Sequence, residues 1–155
     1  PKERNELQIA SYLHDIGKIG IKDEILQKPG TLNGEEYRTI REHPLIGVKI
    51  VEGIEFFKDK IPMIRNHHEQ FDGKGYPDGL AGEAIPLEAR IIAVPDAFDA
   101  MASLRPHQKT RDLEAILLEM EQNKGRQFDP SILEIFLRER IYEYLVHSPS
   151  SVSFT

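Results

Sequence analysis

The sequence predicts an all-α bundle interrupted by one long loop, and three observations carry that expectation. Alternating β-branched runs are nearly absent, so little of the chain reads as half-buried strand. Apolar residues recur instead at three- and four-residue intervals over most of the chain. Asn, Thr, Asp and Pro stand where these runs begin, in the positions that start helices.

The first helix is expected over residues 4–16, with Leu7, Ala10, Leu13 and Ile16 on one side. Asn33 predicts a second over 34–43, with Glu36 completing a capping box and His43 at its end. Pro44 suits the first turn of the next, whose apolar set is Leu45, Ile46, Val48, Ile50, Val51 and Ile54. Pro62 opens a short helix that ends near His67 and His68. Residues 69–85 form a loop, and a loop of that length in a compact domain is functional or disordered. Pro86 opens a helix to about Ser103. Thr110 caps another through about Asn123, carrying Leu113, Ile116, Leu117 and Met120. Asp129-Pro130 starts a final helix to about Val146. On this reading residues 1–146 are one domain and 147–155 a flexible tail.

A chain of 155 residues is long enough for a real core. No apolar run approaches the ~20 residues that cross a bilayer, so the domain is expected to be cytoplasmic and free of membrane contact. There is no cysteine, so any metal must be held by His and carboxylate, which favours Fe, Mn or Zn. A net charge of −6 argues against long nucleic acid but admits a small phosphorylated ligand at a locally positive site.

Four groups stand out: His14-Asp15 in "LHDIGK", His43 in "REHP", His67-His68 in "NHHEQ", and Asp96 with Asp99 in "VPDAFDAM". They fall at the ends or on the apolar faces of helices that must pack together. Adjacent helical residues diverge by about 100°, so His14-Asp15 and His67-His68 suit two neighbouring metals better than one. Asp15 can bridge both through its two oxygens. Two metals ~3.5–4 Å apart form a clamp for in-line displacement at phosphorus. Asp99 is as suited to orienting a ligand or bonding backbone. His107 and His147 read as structural or surface residues. Gly73 and Gly75 permit positive φ and close approach of backbone to a ligand. Tyr76 offers a ring face or a hydroxyl, and Pro77 stiffens the chain after it. Lys18 shares the side of His14 and Asp15 if the helical turn continues.

"LHDIGKIGI", "EHPLIG", "HHEQFDGKGYPDGLAGEAIPLEARIIAV" and "DAFDAM" resemble the HD-GYP family of the HD phosphohydrolase superfamily, over residues 7–138. The resemblance implies an HD-domain helical bundle with a two- or three-metal iron or manganese centre. It implies hydrolysis of cyclic di-GMP to linear pGpG, and often on to GMP. The implied ligands are His14, Asp15, His43, His67, His68 and Asp96, with Lys18 as the motif lysine and Gly75, Tyr76 and Pro77 as its GYP. It further implies contact with GGDEF-type cyclase domains through the GYP loop.

Three departures stand beside it. The stretch before His14 has no His, where the family carries a helix with one, so two divalent metals are expected rather than three. Without that helix, Leu7, Ile9, Ala10, Tyr12, Leu13 and Ile16 leave apolar surface through which self-association is expected. The family's run of phosphate-holding residues is reduced to "LRPHQK", in which Arg105 and Lys109 remain for the second phosphate. Pro95, just before Asp96, can kink its helix. The resulting alternative is a domain that binds cyclic di-GMP or a GGDEF domain without turnover.

Overall fold

The computed structural model describes residues 2–102 and 112–147. Nine α-helices and three 3-10 turns make up the described chain, with two isolated bridges and no strand among the described residues. The all-α expectation holds. None of these helices is long and apolar enough to cross a membrane.

α1 (Lys2–Leu13) stops short of the predicted boundary, and a 3-10 turn, Ile16–Gly20, comes after it. The cause is tertiary. Gly17 is buried against the start of α4 (His43–Val51), so close that a Cβ would lie 1.9 Å from the His43 carbonyl oxygen. A straight continuation of α1 could not make that approach. α2 (Asp23–Leu26) is a single unpredicted turn.

α3 (Gly34–Ile40) begins as predicted. Asn33 Oδ1 accepts from the Glu35 and Glu36 amides, and Glu36 accepts from the Asn33 amide. It ends before residue 43, so His43 opens α4 instead of closing α3. Pro44 explains the restart, because proline fits the first turn of a helix and not an interior. α4 stops at Val51, before Ile54, and both Ile54 and Ile50 within the helix are exposed. A 3-10 turn, Glu55–Lys60, leads into α5 (Ile61–Asn66), which Pro62 opens and which ends at the paired histidines.

α6 (Leu87–Ala102) holds the bundle together, running through Pro95 without ending. Its Ile92 packs with Ala10 and Met63 on one side. Its Val94 and Phe98 join the main core, with Ile116 and Met120 of α7 (Leu113–Gln122) and Leu133 and Phe136 of α8 (Pro130–Arg138). Asp112 occupies the N-cap of α7; Thr110, expected there, lies outside the described residues. Asp129 caps α8 as predicted, accepting from the Ser131 and Ile132 amides.

The predicted final helix is two. The chain breaks at Arg140, which has φ 52°, and α9 (Ile141–His147) turns back. The break brings Tyr142 within 6.1 Å of the Phe98 ring and 6.2 Å of Phe136, so core burial outweighs a locally unfavourable backbone. From residue 148 the expected tail lies outside the described residues. A largely apolar groove lined by Leu7, Gln8, Ser11, Ile91, Ile92 and Pro95 runs between α1 and α6, and Tyr12 of α1 is 76% exposed.

Candidate metal centre

Helix ends aim the cluster. His14 and Asp15 leave α1, His43 starts α4, His67 and His68 end α5, and Asp96 projects from the middle of α6. Asp15, His43, His67 and His68 offer ligand atoms within 4.8 Å of one another. So do His14, Asp15 and Asp96. Asp15 belongs to both groups. Its Oδ1 lies 3.3 Å from His43 Nε2 and its Oδ2 3.4 Å from His14 Nε2. Asp96 Oδ1 is 3.6 Å from His14 Nε2, so Pro95 does not carry it away from the cluster.

Three of the imidazoles are oriented in the same way. His14, His43 and His67 each place Nδ1 on the carbonyl oxygen three residues earlier, at 2.6, 2.7 and 2.8 Å. A carbonyl only accepts, so Nδ1 carries the hydrogen and, in a neutral ring, Nε2 presents a lone pair. His43 Nε2 and His67 Nε2 face each other at 3.2 Å. Two lone pairs at that distance repel unless a proton or a cation stands against both. Backbone carbonyls that orient imidazoles in this way are the usual support of metal-binding histidines. The donor set therefore fits divalent cations held by nitrogen and oxygen.

The electrostatics divide along the same lines. Burial lowers His68 to about 3, helped by His43, and lowers His67 in the same direction, helped by His68. Burial also pulls on His14, but the Asp15 and Asp96 carboxylates overcome it and raise that imidazole to about 10. Asp15 is held well below the usual carboxylate range: burial opposes ionisation, and His14, His43 and Lys18 prevail over it.

These shifts give chelator-treated protein a pH dependence. Between pH 6.5 and about 3 the unfolded chain protonates His67 and His68 while the folded chain resists, so stability is lost as pH falls through that window. His14 acts in the opposite sense. Its contribution is complete below 6.5 and is lost as pH rises through about 10. Metal-free melting temperature should therefore peak near neutrality and fall on both sides. A melting temperature that is flat from pH 4 to 10 would contradict these assignments.

Lys18 does not share a continued α-helix with Asp15. The 3-10 turn, with three residues per turn, stacks the two residues, and Lys18 Nζ donates to Asp15 Oδ2 at 2.5 Å. The ammonium is thus tied to the carboxylate that both ligand groups share.

The loop 69–85 is ordered by a buried residue that nothing in the sequence pattern singles out. Glu69 accepts from the amides of Asp78, Gly79 and Leu80 at 2.7, 3.0 and 3.1 Å. Arg65 grips Asp78 with two parallel bonds of 2.7 Å. Gly73 has the expected positive φ, whereas Gly75 serves a different approach from the one expected. Its missing Cβ would meet Gln70 N at 2.2 Å, so it admits the chain's own backbone, not a ligand. Tyr76, joined by a cis bond to Pro77, stacks on His68 with ring centres 4.9 Å apart. It lines a pocket with Tyr37, His67, His68, Asp96 and Gln127. Asp99 is exposed. Arg105, Lys109 and His107 lie outside the described residues, as does the His147 side chain.

Fold and cluster together define a class: a helical domain whose helix ends gather imidazoles and carboxylates at one point. The chain belongs to the HD domain family, whose pattern matches residues 1–132. It is 45% identical over 136 residues to a cyclic di-GMP phosphodiesterase response regulator of Xanthomonas campestris, covering 86% of this chain and 36% of that protein. It is 41% identical over 140 residues to a cyclic di-GMP phosphodiesterase of Thermotoga maritima, covering 86% and 37%. A 3′3′-cGAMP-specific phosphodiesterase of Vibrio cholerae is 39% identical over 128 residues, covering 83% and 28%. The chain thus spans about a third of the length of these relatives. A crystal structure of a cyclic GMP-AMP specific phosphodiesterase of Vibrio cholerae matches the fold with a TM-score of 0.68. It covers 95% of this chain and 41% of that one at 20% identity, which bears on fold alone.

Proposed function

We propose that the chain is a metal-dependent phosphodiesterase domain that hydrolyses cyclic di-GMP to linear pGpG in bacterial second-messenger signalling in the cytoplasm. The observation that carries the reading is Asp15, whose two oxygens face two separate groups of nitrogen and oxygen donors. The substrate is inferred from the relatives' names and from the resemblance of the GYP loop. Two divalent cations, Fe or Mn, would supply Lewis-acid stabilisation of phosphate charge and an activated water at neutral pH.

His43, His67 and His68 would hold one cation and His14 with Asp96 the other, Asp15 joining both. The carbonyls behind His14, His43 and His67 keep their Nε2 atoms aimed inward, so orientation is set before substrate arrives. Lys18 Nζ is half-exposed beside Asp15; there it would stabilise phosphate charge, and it or an activated water would give a proton to the leaving ribose oxygen. Tyr76 and the ordered loop wall one side of the pocket. Arg105 and Lys109 remain proposed holders of the second phosphate. The described cluster gives no support to binding without turnover, because all six implied ligands come together.

Turnover of cyclic di-GMP and 3′3′-cGAMP by this chain, reconstituted anaerobically with Fe²⁺ or Mn²⁺, tests the reading. Faster release of pGpG than of cGAMP product supports it; metal-loaded protein that turns over neither overturns it. Contact with a GGDEF domain through the loop and self-association through α1 are secondary proposals. The second is supported by the apolar groove and exposed Tyr12. A strict monomer by light scattering at high concentration would remove it.

A further inference from the structure

Arg41 lies beside the cluster, yet neither the ligand set nor the loop's hydrogen bonds use it. It caps the end of α3 and precedes His43 by two residues. Its guanidinium carbon stands 4.4 Å from the centre of the Tyr76 ring and 5.7 Å from that of Tyr37. Among the described residues no carboxylate forms an ion pair with it. A half-buried guanidinium placed over two aromatic rings keeps its charge and its rotamer, and its planar edge of N–H donors remains to be satisfied. Tyr37 lines the same pocket as His68 and Asp96, and it is 52% exposed.

We propose that Arg41 is a specificity-determining residue that reads the O6 and N7 edge of a guanine in the substrate, with the Tyr37 ring as the face on which that base stacks. The inference rests on the cyclic dinucleotide reading of the site. Two acceptors side by side on the guanine edge match the in-plane fork of an arginine, and an adenine presents a donor where O6 would be. A phosphate oxygen pair would also fit the fork. The position favours the base. Phosphate charge is met at the cluster and at Lys18, whereas Arg41 stands over the ring of Tyr76, which stacks in turn on His68. A half-exposed aromatic ring beside the guanidinium gives a base a stacking surface and gives a phosphate nothing.

The test compares the metal-loaded full chain with Arg41→Met and Arg41→Lys on three substrates: cyclic di-GMP, cyclic di-AMP and bis(p-nitrophenyl) phosphate. For Arg41→Met, kcat/KM on cyclic di-GMP should fall roughly 5- to 150-fold, mainly through KM, the range of losing one bidentate base contact. Arg41→Lys should recover only part of the loss. Cleavage of bis(p-nitrophenyl) phosphate should stay within about threefold and metal content should match that of the wild type, which also shows that the variant is folded. The preference for cyclic di-GMP over cyclic di-AMP should collapse. Equal losses on both dinucleotides would mean a phosphate contact and would overturn the proposal. A parallel loss on the small diester, or loss of metal, would mean a structural role and would overturn it too. Failure of the underlying reading would appear separately, as wild-type protein that cleaves the small diester but no cyclic dinucleotide. As an independent check, Tyr37→Ala should raise KM for cyclic di-GMP and leave the small diester unaffected; an unchanged KM would remove the stacking face.

Discussion

Asp15→Ala is expected to reduce bound metal from the proposed two ions per chain to one or fewer and to lower turnover by roughly 10²–10³-fold or more, the scale of removing one preorganised charge-stabilising group. The geometry sets this expectation. Without Asp15 the half-site of His14 and Asp96 keeps only two donors, too few to compete with water for a divalent ion. The proposed half-site of His43, His67 and His68 would keep three imidazoles but lose its anionic partner. Lys18, whose Nζ is 2.5 Å from Asp15 Oδ2, would then sit unpaired beside the vacated position and repel a cation. His43→Ala is the informative companion, because it removes a donor from one half only and should leave about one ion bound. Elemental analysis of both variants, each checked for cooperative melting, separates a shared ligand from an ordinary one. Two ions retained by Asp15→Ala would remove the bridging role.

What the sequence revealed of this arrangement depended on how locally each feature is determined. Asn33 with Glu36, and Asp129 before Pro130, fix helix starts through bonds to amides two and three residues away. Those starts could be read directly. Helix ends depend on what the chain must reach. The apolar spacing of "IFLRERIYEYL" runs unbroken through Arg140, yet the chain turns there because Tyr142 has a place against Phe98 and Phe136. The implied ligands were visible as residue types, five beside expected helix ends and Asp96 within a helix, and packing brought them into two groups that share Asp15 even where those ends shifted. His43 moved from the end of one helix to the start of the next and is still buried within the cluster. Glu69 and Arg41 were not legible. An acid after two histidines and an arginine in "IREHP" carry no local signal of three accepted amides or of two aromatic neighbours.

Gly17→Ala is expected to destabilise the protein by about 3 kcal/mol, at the upper end of overpacking costs, and to lower the melting temperature by roughly 6–12 °C. In the sequence Gly17 is one letter of "LHDIGKIG"; in the fold it is the contact between the segment that carries His14 and Asp15 and the one that starts with His43. The added Cβ would meet the His43 carbonyl oxygen at 1.9 Å, the Gly47 amide nitrogen at 2.5 Å and the His43 carbonyl carbon at 2.9 Å. All three are backbone atoms of α4, so no side-chain rotation relieves the clash. Relief requires the 3-10 turn and α4 to part, and that motion pulls His14 and Asp15 away from His43. The loss should therefore appear twice, as a lower melting temperature and as weaker metal retention in the protein that is still folded. Gly53→Ala is the control, since a Cβ there meets nothing within 4 Å, and its effect should stay within about 0.5 kcal/mol. Gly17→Ala protein that melts like wild type and holds its full metal complement would show that the two segments are not locked together at this contact.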